Sequence, residues 1–262
     1  MDGILGYGGD PVQFDPPLVE GRLLRRYKRF LVDVRMPDGE TVVAHSTNTG
    51  SLLGCLQEGA PVLLEAADRP ERKLKWTWKM VRVGDHWVGV DTSMAVPMVL
   101  EAVDEGTLAA LGGYARAIRE VKYGREGRSR IDILLSDGGT PTGKGKRAVY
   151  DGDRRVYVEV KSTTLRLDRD GQRLAAFPDA VTERGLKHLH ELRDVLEAGH
   201  RAALVFCAQR SDVDAFVPAD QIHAEYGKVL REVIRDGVEV FALAAEIGPS
   251  GARLARPLEL IC

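Results

Sequence analysis

Val156-Tyr157-Val158-Glu159-Val160-Lys161 alternates apolar and polar residues with a period of two, the pattern of a strand with one buried face. Val156, Val158 and Val160 fall on one side and Tyr157, Glu159 and Lys161 on the other, so an acid and an ammonium share a face. Upstream, Arg130-Ile131-Asp132-Ile133-Leu134-Leu135 is also strand-like, and its lone carboxylate stands in apolar company where an unpaired charge is costly to bury. Asp132 therefore needs compensation. A divalent cation shared with Glu159 would supply it, since magnesium takes one or two carboxylates and keeps waters of its own. Glu120, in Arg119-Glu120-Val121-Lys122-Tyr123, could add a third oxygen. The expected metal ligands are thus Asp132, Glu159 and Glu120, and the expected ion is Mg2+ or Mn2+. Two acids and Lys161 around such an ion suit phosphodiester hydrolysis: the metal offsets charge developing on phosphate and activates a bound water, while the lysine orients that water. The plainer alternative is an ion pair of Asp132 or Glu159 with Lys161 or Arg130 at a sheet end.

Outward from these strands, the chain mixes helices and strands. A helix is expected from about Ala180 to Ala198 with Asp179 as N-cap, a buried strand at Ala202–Ala208, a helix at Ala219–Asp236 and a last strand at Val238–Leu243. On the first of these helices, Val181, Leu189, Leu192 and Leu196 form the apolar stripe and Arg184, Lys187, His188 and Glu191 the polar face, where Arg184 and Lys187 could grip a phosphate backbone. His188 and His190 are two apart, a spacing that does not suit zinc on a helix. Between Thr92 and Ile118 the apolar residues recur at helical spacing around Gly106. Gly138, Gly143 and Lys144 satisfy G-x-x-x-x-G-K, but Gly145 replaces the metal-binding hydroxyl and no helix follows, so a basic hairpin tip is the expectation there.

From Leu18 to Asp91 the text changes to short β-type runs, with Pro37-Asp38-Gly39 as a tight turn and Asn48–Gly59 as a long loop. Five or six strands at this spacing predict a small closed barrel of the oligonucleotide-binding type. Two domains follow, residues 1–92 and 93–262, the second a mixed sheet flanked by helices.

The chain of 262 residues holds 37 Lys+Arg against 39 Asp+Glu, and this near-neutrality excludes a protein that coats itself in nucleic acid. The distribution is uneven, however. Arg22–Arg35 carries six basic residues against one acid, and Arg25, Arg26, Lys28 and Arg29 are its candidate phosphate contacts. Glu71–Arg82 carries five against one with Trp76 and Trp78 interleaved, a mixture that can stack bases, or that can belong to a core. Three widely spaced cysteines fit neither a disulfide framework nor a zinc site. No apolar run reaches the roughly 20 residues of a membrane helix, and the acidic, Gly- and Pro-rich start lacks a secretion signal, so the expectation is a cytoplasmic protein with no membrane partner; its oligomeric state cannot be inferred.

Several longer runs resemble one family: Leu24–Val34, His45 with Asn48-Thr49-Gly50, Glu120–Gly124, Arg130-Ile131-Asp132, Val158–Leu165 and Phe177–Leu189 are similar, in order, to the bacterial and archaeal sugar fermentation stimulation protein A family. The resemblance implies an OB-like β-barrel followed by a PD-(D/E)XK nuclease-like domain, hence an α/β (α+β) two-domain fold. It also implies DNA as the partner and a regulatory role in sugar (maltose) metabolism. Carried over by position, Asp132 is the motif's aspartate, Glu159 and Lys161 its E-x-K, and Glu120 the preceding acid, which makes Glu120, Asp132, Glu159 and Lys161 the catalytic set; Asn48 joins the barrel-side contacts. The family's usual His-Cys-Pro-Asn-Thr-Gly reads His45-Ser46-Thr47-Asn48-Thr49-Gly50 here, and its Val-Asn-Thr reads Val90-Asp91-Thr92. The function expected is DNA binding by a protein with a nuclease-like acid cluster, the alternatives being an active metal-dependent phosphodiesterase and an interaction protein with no affinity for nucleic acid.

Overall fold

A computed structural model describes residues 12–67, 71–124, 129–137, 141–142, 149–150 and 154–262. The chain begins with β1 (Val12–Gln13) and then forms β2 (Val19–Tyr27), β3 (Leu31–Arg35), β4 (Thr41–His45), β5 (Pro61–Ala66), β6 (Trp76–Val83) and β7 (His86–Gly89). Strands β4-β3-β2-β5-β6 pair in that order, and parallel pairing of Ala44 with Trp76 and His45 with Thr77 joins β4 to β6, closing a five-stranded barrel to which β7 is added. Its interior is filled by alternate strand residues, among them Leu23, Val32, Val34, Val62, Leu64 and Trp78. Trp78 is fully buried with its indole N–H donated to the Met80 carbonyl (2.8 Å), so this tryptophan belongs to the core and does not stack bases.

After β7 come α1 (Ala95–Asp104), β8 (Arg116–Tyr123), β9 (Ser129–Ser136), the short pair β10 (Pro141–Thr142) and β11 (Val149–Tyr150), then β12 (Arg155–Thr163), β13 (Leu165–Arg169), β14 (Gln172–Phe177), α2 (Glu183–Glu197), β15 (Arg201–Ala208), β16 (Ala215–Pro218), α3 (Asp220–Asp236), β17 (Glu239–Gly248), β18 (Gly251–Pro257) and β19 (Glu259–Leu260). A seven-stranded mixed sheet, β1-β18-β17-β15-β12-β9-β8, has α1 packed on one face and α2 with α3 on the other. The β12 valines 156, 158 and 160 face α1, whereas Tyr157 packs on the α2 side, as the period of two requires. A smaller sheet, β13-β14-β16-β19, lies beside it.

The structure corrects four readings of the sequence. The helical spacing between Thr92 and Ile118 holds only as far as Asp104; Gly106, at φ +82°, ends the turn and residues 116–123 are a strand, with Ala117 and Ile118 facing opposite cores. Helix α2 starts at Glu183, not Ala180, because Thr182 is its N-cap and accepts the Gly185 N–H (2.9 Å); Val181 is left 66% exposed outside the helix. The last strand runs on to Gly248 and returns as β18, and β13–β14 form a hairpin that was not expected. Finally, His188 and Glu191 are buried on the sheet side of α2 and are not part of its solvent face. The G-x-x-x-x-G-K residues Gly138, Gly143 and Lys144 lie outside the described residues. All three cysteines are free thiols, Cys55 and Cys207 buried and Cys262 exposed, and no helix among the described residues is long and apolar enough to cross a membrane.

Barrel residues Leu63 and Met80 share one apolar cluster with α1 and the large sheet, and hydrogen bonds tie barrel and sheet in two further places. Asp179, instead of capping α2, accepts hydrogen bonds from the Leu52 N–H (3.0 Å) and Ser51 Oγ (3.2 Å) of the barrel loop. Gly50 is required there, since a Cβ would stand 2.6 Å from both Asp179 carboxylate oxygens. At the other point, Gln209 Nε2 donates to the Asp91 carbonyl (3.0 Å) and to Ser162 Oγ (2.7 Å), and the Gly89 N–H donates to the Gln209 carbonyl (2.8 Å). The two departures from the family's usual residues meet here: Thr47 Oγ1 donates to Asp91 Oδ1 (2.8 Å), and Lys79, only 7% exposed, places its ammonium 2.6 Å from Asp91 Oδ2. Burial alone would raise the Asp91 pKa, but the Lys79 charge and the hydrogen bonds from Lys79 and Ser93 outweigh it and hold the carboxyl below its ordinary value. Its stabilising share is therefore complete above the unfolded-state pKa, about 3.9, and fades as pH falls through the lower folded value. Asp91→Asn leaves the buried ammonium with Glu65 alone, 3.3 Å away and 40% exposed, and is expected to lower stability by about 2 kcal/mol, with Lys79→Met in the same chain restoring most of it. Urea midpoints at pH 7 measure both, and an unchanged midpoint in the single variant would show that this buried pair does not stabilise the fold.

Candidate functional site

Parallel pairing of β12 with β15 places Glu159 beside Leu204 in the centre of the large sheet, where it is 2% exposed. Antiparallel pairing of β12 with β9 runs only from Arg155 opposite Ser136 to Val158 opposite Ile133. Beyond that point the backbones part, and the Val160 N–H that a ladder would use is donated to Asp132 Oδ2 (2.7 Å). The two carboxylates meet because the ladder ends one step before them.

They are not equivalent. Glu159 Oε1 takes the Lys161 ammonium at 2.6 Å and lies in hydrogen-bond contact with His188 Nδ1; Lys161 Nζ is 3.1 Å from the same ring nitrogen. Arg184 Nε lies 3.4 Å from His188 Nε2, so the ring is held with Nδ1 facing Glu159 and Lys161. Burial raises the Glu159 pKa, but the charge of Lys161 and the His188 hydrogen bond more than reverse this, so Glu159 stays ionised. Asp132 has no such neighbours. Burial first, then the Glu159 charge, drives its pKa up to about 7, against the smaller opposing effects of the Val160 N–H and Lys161. Glu159 Oε2 is buried with no hydrogen bond, and so is the hydroxyl of Tyr226, which α3 brings within electrostatic range of Glu159.

Of the expected acids, the structure brings Asp132 and Glu159 together and leaves Glu120 at the rim. Glu120 stands opposite Asp132 in the β8–β9 register, but its φ of +59° takes it out of the ladder, and its 58% exposed side chain meets Arg130 at 3.7 Å. Among the described residues no group of three or more His, Cys, Asp and Glu side chains is arranged to hold a metal ion. The two acids do fit one: a buried, unbonded carboxylate oxygen beside a second carboxylate is a hard-oxygen donor set. His188 was missed, although Gly185, His188, Leu189 and Leu192 share a helix face by spacing.

The expected nucleic-acid contacts form two groups. Arg25, Arg26, Lys28 and Arg29 crowd the β2–β3 turn, where Lys28 and Arg29 are left-handed (φ +49° and +65°) and exposed, Arg25 pairs with Asp33 (2.7 Å), and Phe30 is 45% exposed. Arg26 donates to the Asn48 carbonyl (2.7 Å) and Ser51 carbonyl (3.4 Å); Asn48 is 7% exposed and its Oδ1 holds the Gly50 N–H (2.7 Å), so it shapes the loop that Asp179 clasps. Arg184 and Lys187 are exposed on α2, beside His188 and Ser129 respectively. The Asp179 clasp thus joins the loop braced by the barrel's basic turn to the segment that leads into α2.

A carboxyl whose folded pKa exceeds its unfolded value binds more protons in the folded state, so stability falls as pH rises between the two. For Asp132 that window runs from about 3.9 to about 7. Asp132→Asn removes the ionisation while keeping an acceptor for Val160 N–H, and in chelator its melting temperature is expected to gain on the parent chain as pH rises from 5 to 8. A constant difference across that range would contradict the raised pKa.

Comparison with known proteins agrees with the fold. Residues 24–90 match the model of the SfsA N-terminal OB domain and residues 93–251 that of the sugar fermentation stimulation protein RE domain. The sugar fermentation stimulation protein homolog of Rhodospirillum rubrum is 47% identical, and that of Thioalkalivibrio sulfidiphilus 45%, each alignment covering 95% of this chain and 98% of the relative. The structure of Pyrococcus furiosus SfsA in complex with Ca2+ superposes with a TM-score of 0.79 at 25% identity, covering 97% of this chain and all of that one. With its barrel and mixed sheet both matched end to end, the chain belongs to the sugar fermentation stimulation protein (SfsA) family.

Proposed function

We propose that this protein binds DNA across the surface that runs from the barrel's basic turn to the N-terminus of α2, and that Asp132, Glu159 and Lys161 form a nuclease-like centre acting on a phosphodiester. The observation that carries this reading is the buried, unbonded Glu159 Oε2 beside Asp132, with the Lys161 ammonium 2.6 Å from the other Glu159 oxygen. A structural ion pair has no use for a second carboxylate whose pKa is lifted by the first.

Asp132 and Glu159 would hold a divalent cation, Mg2+ or Mn2+, with Glu120 at the rim as a third acid; a related structure contains Ca2+. Such a cation, when bound, neutralises phosphate charge and makes water a stronger acid. The chain's own groups do the rest. Lys161 offers a positive charge to a phosphate oxygen as negative charge develops there. His188, fixed by Arg184, holds Glu159 ionised and in place. Lys28, Arg29, Arg184 and Lys187 supply cations for the backbone, and exposed Phe30 lies among the first two as a face for an unpaired base. DNA binding in this family accords with a regulatory role in sugar metabolism, the role its name describes.

Fluorescence polarisation with labelled DNA tests the binding half: affinity is expected to fall linearly with salt on logarithmic axes, and Lys28→Ala or Arg29→Ala to reduce the slope by about 1 each. A dissociation constant indifferent to salt would refute phosphate-driven binding. In the same samples Mg2+ or Mn2+ is expected to promote strand cleavage that is lost in Glu159→Ala and Lys161→Ala while their melting transitions persist. Retained DNA binding without cleavage of any DNA or RNA form would make the centre a binding device only.

A further inference from the structure

Next to the acid centre a cleft of about 520 Å³ opens between the end of β8, β12 and α2, with Tyr123, Gly124, Tyr157, Glu191, Val195 and His200 in its walls. Three of these are flat rings in series: Tyr123 and Tyr157 have centroids 5.9 Å apart at 35°, and Tyr157 and His200 are 5.8 Å apart at 33°. Burial, with Arg155 nearby, lowers the His200 pKa, so the third ring is neutral at physiological pH.

The polar groups of the cleft are half satisfied. Ser129 Oγ donates to Glu191 Oε1 (2.5 Å) and itself accepts from Lys187 Nζ (2.9 Å), which fixes the carboxylate. Glu191 Oε2 and Tyr123 Oη, on side chains 9% and 6% exposed, are buried and complete no hydrogen bond within the protein. Burial, followed by the charges of Glu159, Glu191 and Asp132 and a hydrogen-bonding approach to the Glu191 carboxylate, raises the Tyr123 pKa strongly, so the phenol keeps its proton and remains a donor. An acceptor oxygen and a hydroxyl donor, both desolvated, line one aromatic cleft, and the phenol's approach to the carboxylate does not close into a well-formed hydrogen bond; native proteins leave such atoms unpaired rarely, and a bound molecule is one reason. Gly124 keeps the entrance clear: at φ +82° it passes directly over Glu191, and a Cβ would come within 2.9 Å of Oε1.

We propose that this cleft binds one unpaired nucleobase, stacked among the Tyr123, Tyr157 and His200 rings, with a base N–H donated to Glu191 Oε2 and an adjacent ring nitrogen or carbonyl accepting from Tyr123 Oη. Every natural base carries such a donor next to an acceptor, and every base has a face to stack. Glu191, Asp194 and Glu197 outnumber Lys122 in the walls, and although Lys187 meets Glu191 at 3.5 Å, this excess of acid favours the base over the phosphate as the end that enters. Tyr157 precedes Glu159 by two residues on one face of β12, about 6.6 Å along the strand, so a base in the cleft leaves its own phosphate within reach of the acid centre. The inference deepens the nucleic-acid reading and rests on it.

2-Aminopurine riboside, a fluorescent nucleoside without phosphate, tests the cleft apart from the phosphodiester centre when titrated into the full chain in chelator. Saturable quenching displaced by adenosine is expected, weakened about tenfold by Glu191→Gln and about fivefold by Tyr123→Phe. On the unmodified protein, N6,N6-dimethyladenosine, whose base has no N–H, is expected to displace the probe at about tenfold higher concentration than adenosine. Absence of saturable quenching overturns the proposal, as does equal competition by the two adenosines. Either result together with intact salt-dependent DNA binding removes the cleft and leaves the phosphate reading standing, whereas loss of DNA binding with nucleoside quenching retained does the reverse.

Discussion

An ionised glutamate in the middle of a sheet can persist only if its charge is met from close by, and Glu159 is met twice, by the ammonium of Lys161 on its own strand and by His188 on α2. Much else in the second domain follows from that requirement. Strand β12 must present residues 159 and 161 on one face, which its period of two does. Helix α2 must begin at Thr182 so that Gly185 and His188 face the sheet; Gly185 is packed so closely that a Cβ would stand 2.7 Å from Thr182 and 3.1 Å from Tyr226. Asp132 then bears the consequence, a second carboxylate without a cation of its own, in a position where burial and then its neighbour's charge keep its proton on until near neutrality.

The barrel is tied to this arrangement at the loop that leads into α2 and at Gln209, just past the end of β15. Asp179 is the clearest case. A residue whose sequence position reads as a helix cap reaches across to backbone and hydroxyl donors of the barrel loop, and a glycine stands where any side chain would collide with it. Thr47 and Asp91, which differ from the family's usual residues at two places distant in sequence, form one hydrogen bond next to Lys79. Each departure makes sense through the other.

The barrel was legible because its apolar residues alternate and one of its turns carries Pro37-Asp38-Gly39, and the pairing of Asp132 with the Glu159–Lys161 strand was legible because period two leaves few choices of face. What failed did so for local reasons. Ile118 continues an apparent helical step, but it belongs to β8, a strand covered on both faces, Ala117 by the α1 side and Ile118 by the α2 side. In the hairpin at 165–177, Leu165-Arg166-Leu167-Asp168 alternates but is short, and its partner Leu174-Ala175-Ala176-Phe177 does not alternate at all. Glu120 looked like a ligand by order along the chain, and only backbone geometry reveals that its left-handed conformation separates it from the ladder. His188 was hidden by polarity: a histidine on a stripe of leucines was read as a surface residue.

Strand β8 is the open border of the seven-stranded sheet, and an open border of hydrogen-bonding backbone is a template on which a second chain can extend the sheet. Arg119, Glu120 and Lys122 place exposed charge along it, and the left-handed turn of the backbone at Glu120 interrupts the flat run of donors and acceptors such a docking chain would need. The kink that takes this glutamate away from Asp132 thereby also guards the protein against edge-to-edge aggregation.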